Sequence, residues 1–363
     1  MILGFISPRA RLGVLLLLTA VLAAGCTRKA DAEADTGAGA AKPRLVFRLA
    51  NELKPDSKIW DASRLFKEEV EQASPDGTIK AGEIKVVFYD QGMVGTERQL
   101  LETCYFGVIE MIQINSSVVT TVDPAYSMLD LPYLFLSEEH HKEVLYGEIG
   151  NKFLQRLEDK GLLGLGFYGT GFRNLFYKQD AGKPPAETPE DLRGLKIRVM
   201  ESPIMIASIN AMGASATPVP FSELFQGLKT GVVDGAENSA RIFVSYKYYE
   251  TGCNCFTLTE HFANQHIIIA NADWLASLEP KYQKRIKEVA RIIIPRFDAV
   301  WDETTRNSIE EMRQLGVTVN RIPDKRLFIE RANAIIESYP RQYPDVPLDL
   351  LAEIRELGKA YMN

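Results

Sequence analysis

The run TPEDLRGLKIRVMESP, residues 188–203, decides the fold class because it passes from helix to strand to helix within one short stretch. Pro189 to Leu192 reads as a short helix, since proline is pre-set for a first helical position and the acids Glu190 and Asp191 favour a helix N-terminus. Lys196 to Val199 reads as a strand, and Met200, Glu201 and Ser202 start the next helix. Arg198 sits at the end of that strand, and in α/β proteins such a side chain projects toward the edge where ligands bind. Its planar guanidinium can grip a carboxylate by two parallel hydrogen bonds, which the point charge of a lysine cannot do. On position alone, a surface arginine paired with a neighbouring Glu or Asp is the stronger alternative.

The same alternation extends in both directions from this run. LVFRLA, residues 45–50, and IKVVFY, residues 84–89, read as strands, and Ser57 to Ala73 and Gly95 to Phe106 read as the helices that follow each of them. Further strands are expected at Ile109 to Ile114, Leu163 to Tyr168, Leu175 to Tyr177, Val233 to Ala236 and His266 to Ala270. Pro280 to Leu315 keeps helical periodicity for roughly ten turns, interrupted by Pro295. Either one kinked helix crosses a large part of the molecule, or two consecutive helices meet at the proline. The pattern is that of an α/β protein, and no internal repeat is present.

The chain has 363 residues, 46% of them hydrophobic and 25% charged, enough for two domains of ordinary size. A net charge of -6 supplies no global basic field for nucleic acid or an anionic membrane, so an anionic ligand has to be held by local charges. Arg9 and Arg11 precede an apolar run from Leu12 to Ala24, too short to span a bilayer comfortably and suited to a signal-peptide core. The run ends in LAAGC, residues 22–26, which resembles a bacterial lipobox with Cys26 as the lipidated residue. An ordinary signal peptide that happens to contain a cysteine is the alternative. Thr27 to Pro43 is rich in Ala, Gly, Asp and Lys without apolar periodicity, the composition of a flexible tether. This places a signal peptide at 1–26, a tether at 27–43, and the protein outside the cytoplasm, anchored to a bacterial membrane.

Little in the chain points to catalysis. None of the four histidines, His140, His141, His261 and His266, sits in a metal-ligand or triad-like pattern. His140 and His141 are expected to be solvated, and His266 to be a satisfied structural histidine beside a strand. No nucleophile elbow or phosphate-cradling loop occurs, so no cofactor, metal or catalytic residue is expected. Cys104, Cys253 and Cys255 are too few for a disulfide framework and read as free thiols, with one cross-link left open.

Four strings carry a family resemblance: DQGMVGTERQLLE at 90–102, LDLPYLF at 129–135, GTGFRNLFY at 169–177, and LRGLKIRV at 192–199 continuing into GASATPVPFSELFQGLKTGVVDGAEN at 213–238. With them, Arg44 to about Pro323 resembles the DctP-type solute-binding proteins of tripartite ATP-independent periplasmic (TRAP) transporters. The resemblance implies a two-lobed binding protein with crossing hinge strands and a long helix spanning both lobes. The first lobe is expected at 44–169 plus 265–304, and the second at 170–264 plus 305–363. It makes Arg198 the carboxylate clamp, Arg173 a second cationic contact acting directly or through water, Asn238 a side-chain amide that hydrogen-bonds the ligand and Phe221 an apolar wall. It also aligns Glu97 and Asn115 with polar ligand contacts and Trp60 with a cleft aromatic. For these three, a helix-dipole partner, a strand-end cap and a half-buried core anchor are the respective alternatives.

The implied partners are a small carboxylate, with a sugar acid such as a uronate or aldonate favoured, and the integral-membrane subunits of a TRAP transporter. A four-carbon dicarboxylate or other organic acid is the alternative ligand, and a ligand-presenting sensory receptor the alternative class. Two features depart from the common pattern: the lipobox, and a long proline-bearing loop from Gln179 to Glu187.

Overall fold

Two long antiparallel strands organise the molecule. The structure, a computed structural model, describes residues 43–361 except 181 and 183. Cys26, the signal peptide and all of the tether but Pro43 lie outside the described residues.

Among the described residues, nine strands form one mixed sheet: β1 (Leu45–Ala50), β2 (Ile84–Tyr89), β3 (Met111–Asn115), β4 (Leu162–Tyr177), β5 (Lys196–Val199), β6 (Ser215–Pro218), β7 (Gly235–Asn238), β8 (Cys255–Asn271) and β9 (Thr318–Arg321). Their order is β2-β1-β3-β8-β4-β7-β5-β6, with β9 added parallel to the first residues of β8. At one end β8 and β4 pair with each other beside β3. At the other end they pair with each other beside β7 and β9. Each half of the sheet therefore has its own parallel strands, and both halves share β4 and β8.

The short strands fall where apolar alternation places them, as in β1, whose inward residues include Phe47 and Leu49. The long ones do not. β4 joins two strands expected to be separate, and β8 starts well before His266. Register shifts interrupt β4 between Gly164 and Gly166, Gly169 and Phe172, and Arg173 and Leu175. At the middle shift Gly171 takes φ +73°, a left-handed conformation that glycine adopts without a side-chain penalty. These shifts bend the strand and interrupt the regular alternation that sequence reading depends on.

The helix Pro280–Gln314 is continuous through Pro295, which settles the choice left open by the sequence. Pro295 and Arg291, whose carbonyl loses its helical partner, both lie on the exposed side. The inward face carries Ile286, Val289, Ala290, Ile293, Phe297 and Trp301 at helical spacing. It joins one apolar cluster that includes Phe47 and Phe66 from one half of the sheet and Phe176, Phe243 and Phe256 from the other. Burying each such aromatic contributes about 1.5–3 kcal/mol, so this single helix ties the two halves together.

His140 and His141 are buried, contrary to the expectation of solvation. The helix Glu138–Tyr146 turns both inward: His141 Nε2 lies 3.0 Å from Gln265 Oε1, and His140 Nε2 3.0 Å from the Ile354 carbonyl. Their charged sequence neighbours concealed this, because what covers them, the C-terminal helix Leu348–Gly358 for His140 and Gln265 of β8 for His141, lies far away in the chain. Burial pushes the His141 imidazole down to about 4, so it stays neutral. Cys104, Cys253 and Cys255 are all buried free thiols. No helix among the described residues is long and apolar enough to cross a membrane.

Candidate ligand-binding cleft

A cavity opens where the ends of the short strands meet the middle of β4 and β8. Its lining includes Glu97, Asn115, Arg173, Arg198, Phe221 and Asn238, six of the seven ligand residues expected from sequence. Leu53, Ile59, Met200, Ile242, Asn264 and His266 complete it. Trp60 is absent from this lining. It is half-buried and packs edge-on against Phe88 with ring centroids 4.9 Å apart, the core-anchor alternative, while its neighbour Ile59 lines the cavity.

Arg198 is 1% exposed. Its Nε donates to the Val219 carbonyl at 2.8 Å, and its guanidinium lies 5.8 Å from the Phe221 ring centroid. Neither Nη nitrogen has a hydrogen-bond partner among the described residues, and Nη1 is fully buried. Burial lowers the pKa of this guanidinium, yet an arginine remains charged at any ordinary pH. An uncompensated buried cation is costly, and a carboxylate on its two Nη nitrogens would offset that cost with two charge-assisted hydrogen bonds.

Arg173 has a different environment. Its Nε and Nη2 pair with the Glu237 carboxylate, Nη2 also donates to the Glu237 carbonyl at 2.8 Å, and Nη1 donates to Asn264 Oδ1 at 2.7 Å. The charge expected to act as a second cationic contact is thus already neutralised by Glu237, which is fully buried. Asn264 Oδ1 also accepts from Asn115 Nδ2 at 2.8 Å. Glu237, Arg173, Asn264 and Asn115 therefore form one network that braces the cavity. Asn115 caps the following turn as well, accepting from the Ser117 N–H at 3.0 Å. The Asn238 side-chain oxygen accepts from the Ser239 N–H, and its Nδ2 has no protein partner among the described residues.

Glu97 opens the helix Glu97–Tyr105, which Thr96 and Gln99 cap reciprocally. Its Oε1 accepts from the Asn115 backbone N–H at 2.8 Å. Glu52, which sequence reading missed, accepts from the Glu97 N–H at 3.2 Å and from the Ser222 N–H at 2.7 Å. Burial first, and then the charge of Glu52, push the Glu97 carboxyl up to about 7 from its ordinary 4.5. The folded protein thus holds a proton there that the unfolded chain releases nearer 4.5. The stability this group contributes is full below that pH and is lost as pH rises through about 7. Glu97→Gln should flatten that part of a melting-temperature profile between pH 4.5 and 7.5, and an unaltered slope would show that Glu97 does not titrate in this window.

Behind the cavity, buried Asp130 of the LDLPYLF string accepts from Ser117 Oγ at 2.5 Å and Ser202 Oγ at 2.7 Å. Ser202 caps the helix that follows the Arg198 strand, so Asp130 links that helix to the β3 side of the sheet. The space inside the cavity is about 20 Å³, close to the room one water needs, and a chamber of about 40 Å³ adjoins it past Arg198 and Phe221. Admitting a larger molecule requires the walls to part. Among the described residues, no group of His, Cys, Asp or Glu is placed to hold a metal ion.

A buried arginine with an open fork, in a cavity braced by a separate polar network between two halves of a shared sheet, defines a small-anion binding protein. The chain belongs to the bacterial extracellular solute-binding protein family 7, the DctP family, whose model matches residues 49–342. A solute-binding protein of Chromohalobacter salexigens is 32% identical over 276 residues, covering 76% of this chain and 80% of that protein. The fold matches a TRAP periplasmic solute-binding protein from the same species with bound D-glucuronate, at TM-score 0.78 and 29% identity over 86% of this chain and 99% of that one. It also matches a sugar acid binding protein from Advenella mimigardefordensis in complex with galactonate, at TM-score 0.80 and 26% identity over 88% and 99% of the two chains.

Proposed function

We propose that this protein captures a sugar acid, a uronate or aldonate, in the cleft around Arg198 and delivers it to the membrane permease of a TRAP transporter. The carrying observation is the open Nη edge of the buried Arg198, which suits a carboxylate. The glucuronate and galactonate held by its structural relatives support the choice of acid. A dicarboxylate fits less well, because Glu237 already neutralises Arg173 and the carboxyl groups of Glu97 and Glu52 stand near the cavity. Neither catalysis nor a cofactor enters this reading. Isothermal titration against D-glucuronate, D-galactonate and succinate tests it: one of the sugar acids should bind and succinate should bind more weakly. Tight binding of succinate with no response to either sugar acid would overturn the ligand class.

The ligand would bridge two lobes, 44–169 plus 265–304 and 170–264 plus 305–363, and so bind the closed arrangement better than the open one. The register shift between Gly169 and Phe172 supports a boundary there. The contact of Glu52 with the Ser222 N–H would then form only on closure.

Cys26 is the proposed lipid anchor, supported by the LAAGC string and the tether-like residues after it. Cys26→Ser should move the protein from the membrane to the soluble fraction of fractionated cells, and unchanged membrane retention would remove the anchor from this account.

A further inference from the structure

His266 is the one histidine of the four with no hydrogen bond to either ring nitrogen among the described residues. His140 meets the Leu136 N–H and the Ile354 carbonyl, His141 meets Gln265, and His261 meets Thr259. Nδ1 of His266 is fully buried without a partner. Most buried polar side-chain atoms in native proteins are paired; among the unpaired ones in the described residues, such as Tyr168 Oη and His261 Nε2, those of His266 and Arg198 belong to residues that line the cavity, where a ligand atom can reach them. The expectation of a satisfied structural histidine does not hold here.

Strand register explains how the ring is presented. His266 on β8 stands opposite Asn115 on β3 and Tyr168 on β4, so all three side chains leave the same face of the sheet. Tyr168 stacks on the imidazole at 5.4 Å and is itself held edge-on by Phe297 of the long helix at 4.8 Å. The ring is thus fixed by stacking while its nitrogens remain unpaired. Along β4 its row lies at Tyr168, whereas the β7 row that carries the Arg198 strand lies at Phe176, with Arg173 between them. His266 and Arg198 therefore line the cavity from opposite halves of the sheet.

We propose that His266 is a specificity-determining residue that hydrogen-bonds a hydroxyl group on the carbon chain of the bound acid, away from the carboxylate held by Arg198. This rests on the sugar-acid reading of the cleft. Burial and the nearby Arg173 charge push the imidazole down to about 3, so the ring is neutral. A neutral imidazole offers one donor and one acceptor, which is what a hydroxyl needs, and it offers no charge to a second carboxylate.

The test compares the folded parent protein with His266→Phe and His266→Gln by titration calorimetry against D-glucuronate, D-galactonate and deoxy analogues of galactonate lacking one hydroxyl each. The parent should bind one deoxy analogue about 10-fold more weakly than galactonate, the scale of one hydrogen bond. His266→Phe should lose about that factor for galactonate while no longer distinguishing that analogue from it. His266→Gln, which keeps a donor and an acceptor, should regain part of the discrimination, and it carries the comparison alone should the Phe variant not fold. A Phe or Gln variant that discriminates among the analogues as the parent does would overturn the inference. Failure of the parent to bind any sugar acid would overturn the ligand reading itself, and His266's role with it.

Discussion

Arg198→Lys should abolish most of the thermal shift that a sugar acid gives the parent protein. A ligand at about 100 times its dissociation constant stabilises the folded state by roughly 2.7 kcal/mol, which is readily measured by thermal shift. The Arg198 Nε is committed to the Val219 carbonyl, and this aims the two Nη nitrogens away from that bond as a fork. A lysine ammonium has no equivalent of the third nitrogen. Its single nitrogen could not hold the Val219 carbonyl and also present two parallel donors to a carboxylate. The ring of Phe221 beside the guanidinium adds a face suited to a planar cation rather than to a compact one. A lysine variant that shifts as strongly as the parent would remove Arg198 from the binding site.

Glu237→Gln should be the most destabilising single change in the cleft, by about 3–5 kcal/mol, because it leaves a buried guanidinium without its counter-charge. Arg173 and Glu237 are 2% and 0% exposed, so bulk solvent does not compensate for the lost charge. The amide of glutamine can accept from only one of the guanidinium nitrogens that now share the carboxylate. Replacing both partners together, as Arg173→Met with Glu237→Leu, should recover part of the loss, since no buried charge remains. Chemical denaturation of the three variants measures this directly. Equal stability of Glu237→Gln and the parent would mean that Arg173 is compensated by other groups, and the network through Asn264 would lose its structural role.

These two arginines also mark the reach of sequence reading. The strand that carries Arg198 was legible because it, the preceding turn and the following helix are all local, as were β1 and β2 for the same reason, but the clamp role came from the family resemblance, since position alone favoured a surface arginine. Arg173 was legible as a cavity residue but not as a neutralised one, since its partner lies 64 positions away and nothing in the chain announces the pairing. Glu52 sits in NELKPDS, between the first strand and the helix after it, where no motif marks it, and its acceptor role depends on two backbone N–H groups brought from elsewhere. β8 was under-read because Asn264, Gln265 and His266 interrupt its apolar residues. Asn264 and His266 are polar because they line the cavity, so the site itself obscured the strand that carries it, while Gln265 turns the other way to meet Ser116 and His141. Trp60 failed for the opposite reason: an aromatic near the cleft in sequence packs on Phe88 instead, one residue away from the wall.

The shared strands have a consequence for how the chain reaches this state. β4 pairs with β8 from Leu162 opposite Asn271 to Tyr177 opposite Cys255, so the central pairing closes long loops and cannot begin until most of the polypeptide is present. Contacts so distant along the chain slow folding, because loop-closure entropy is lost before the contacts return it. Neither half of the sheet can mature alone, since each is completed only by a strand that the other also uses. Refolding should accordingly proceed as a single slow, late event for both halves, rather than as two independent ones.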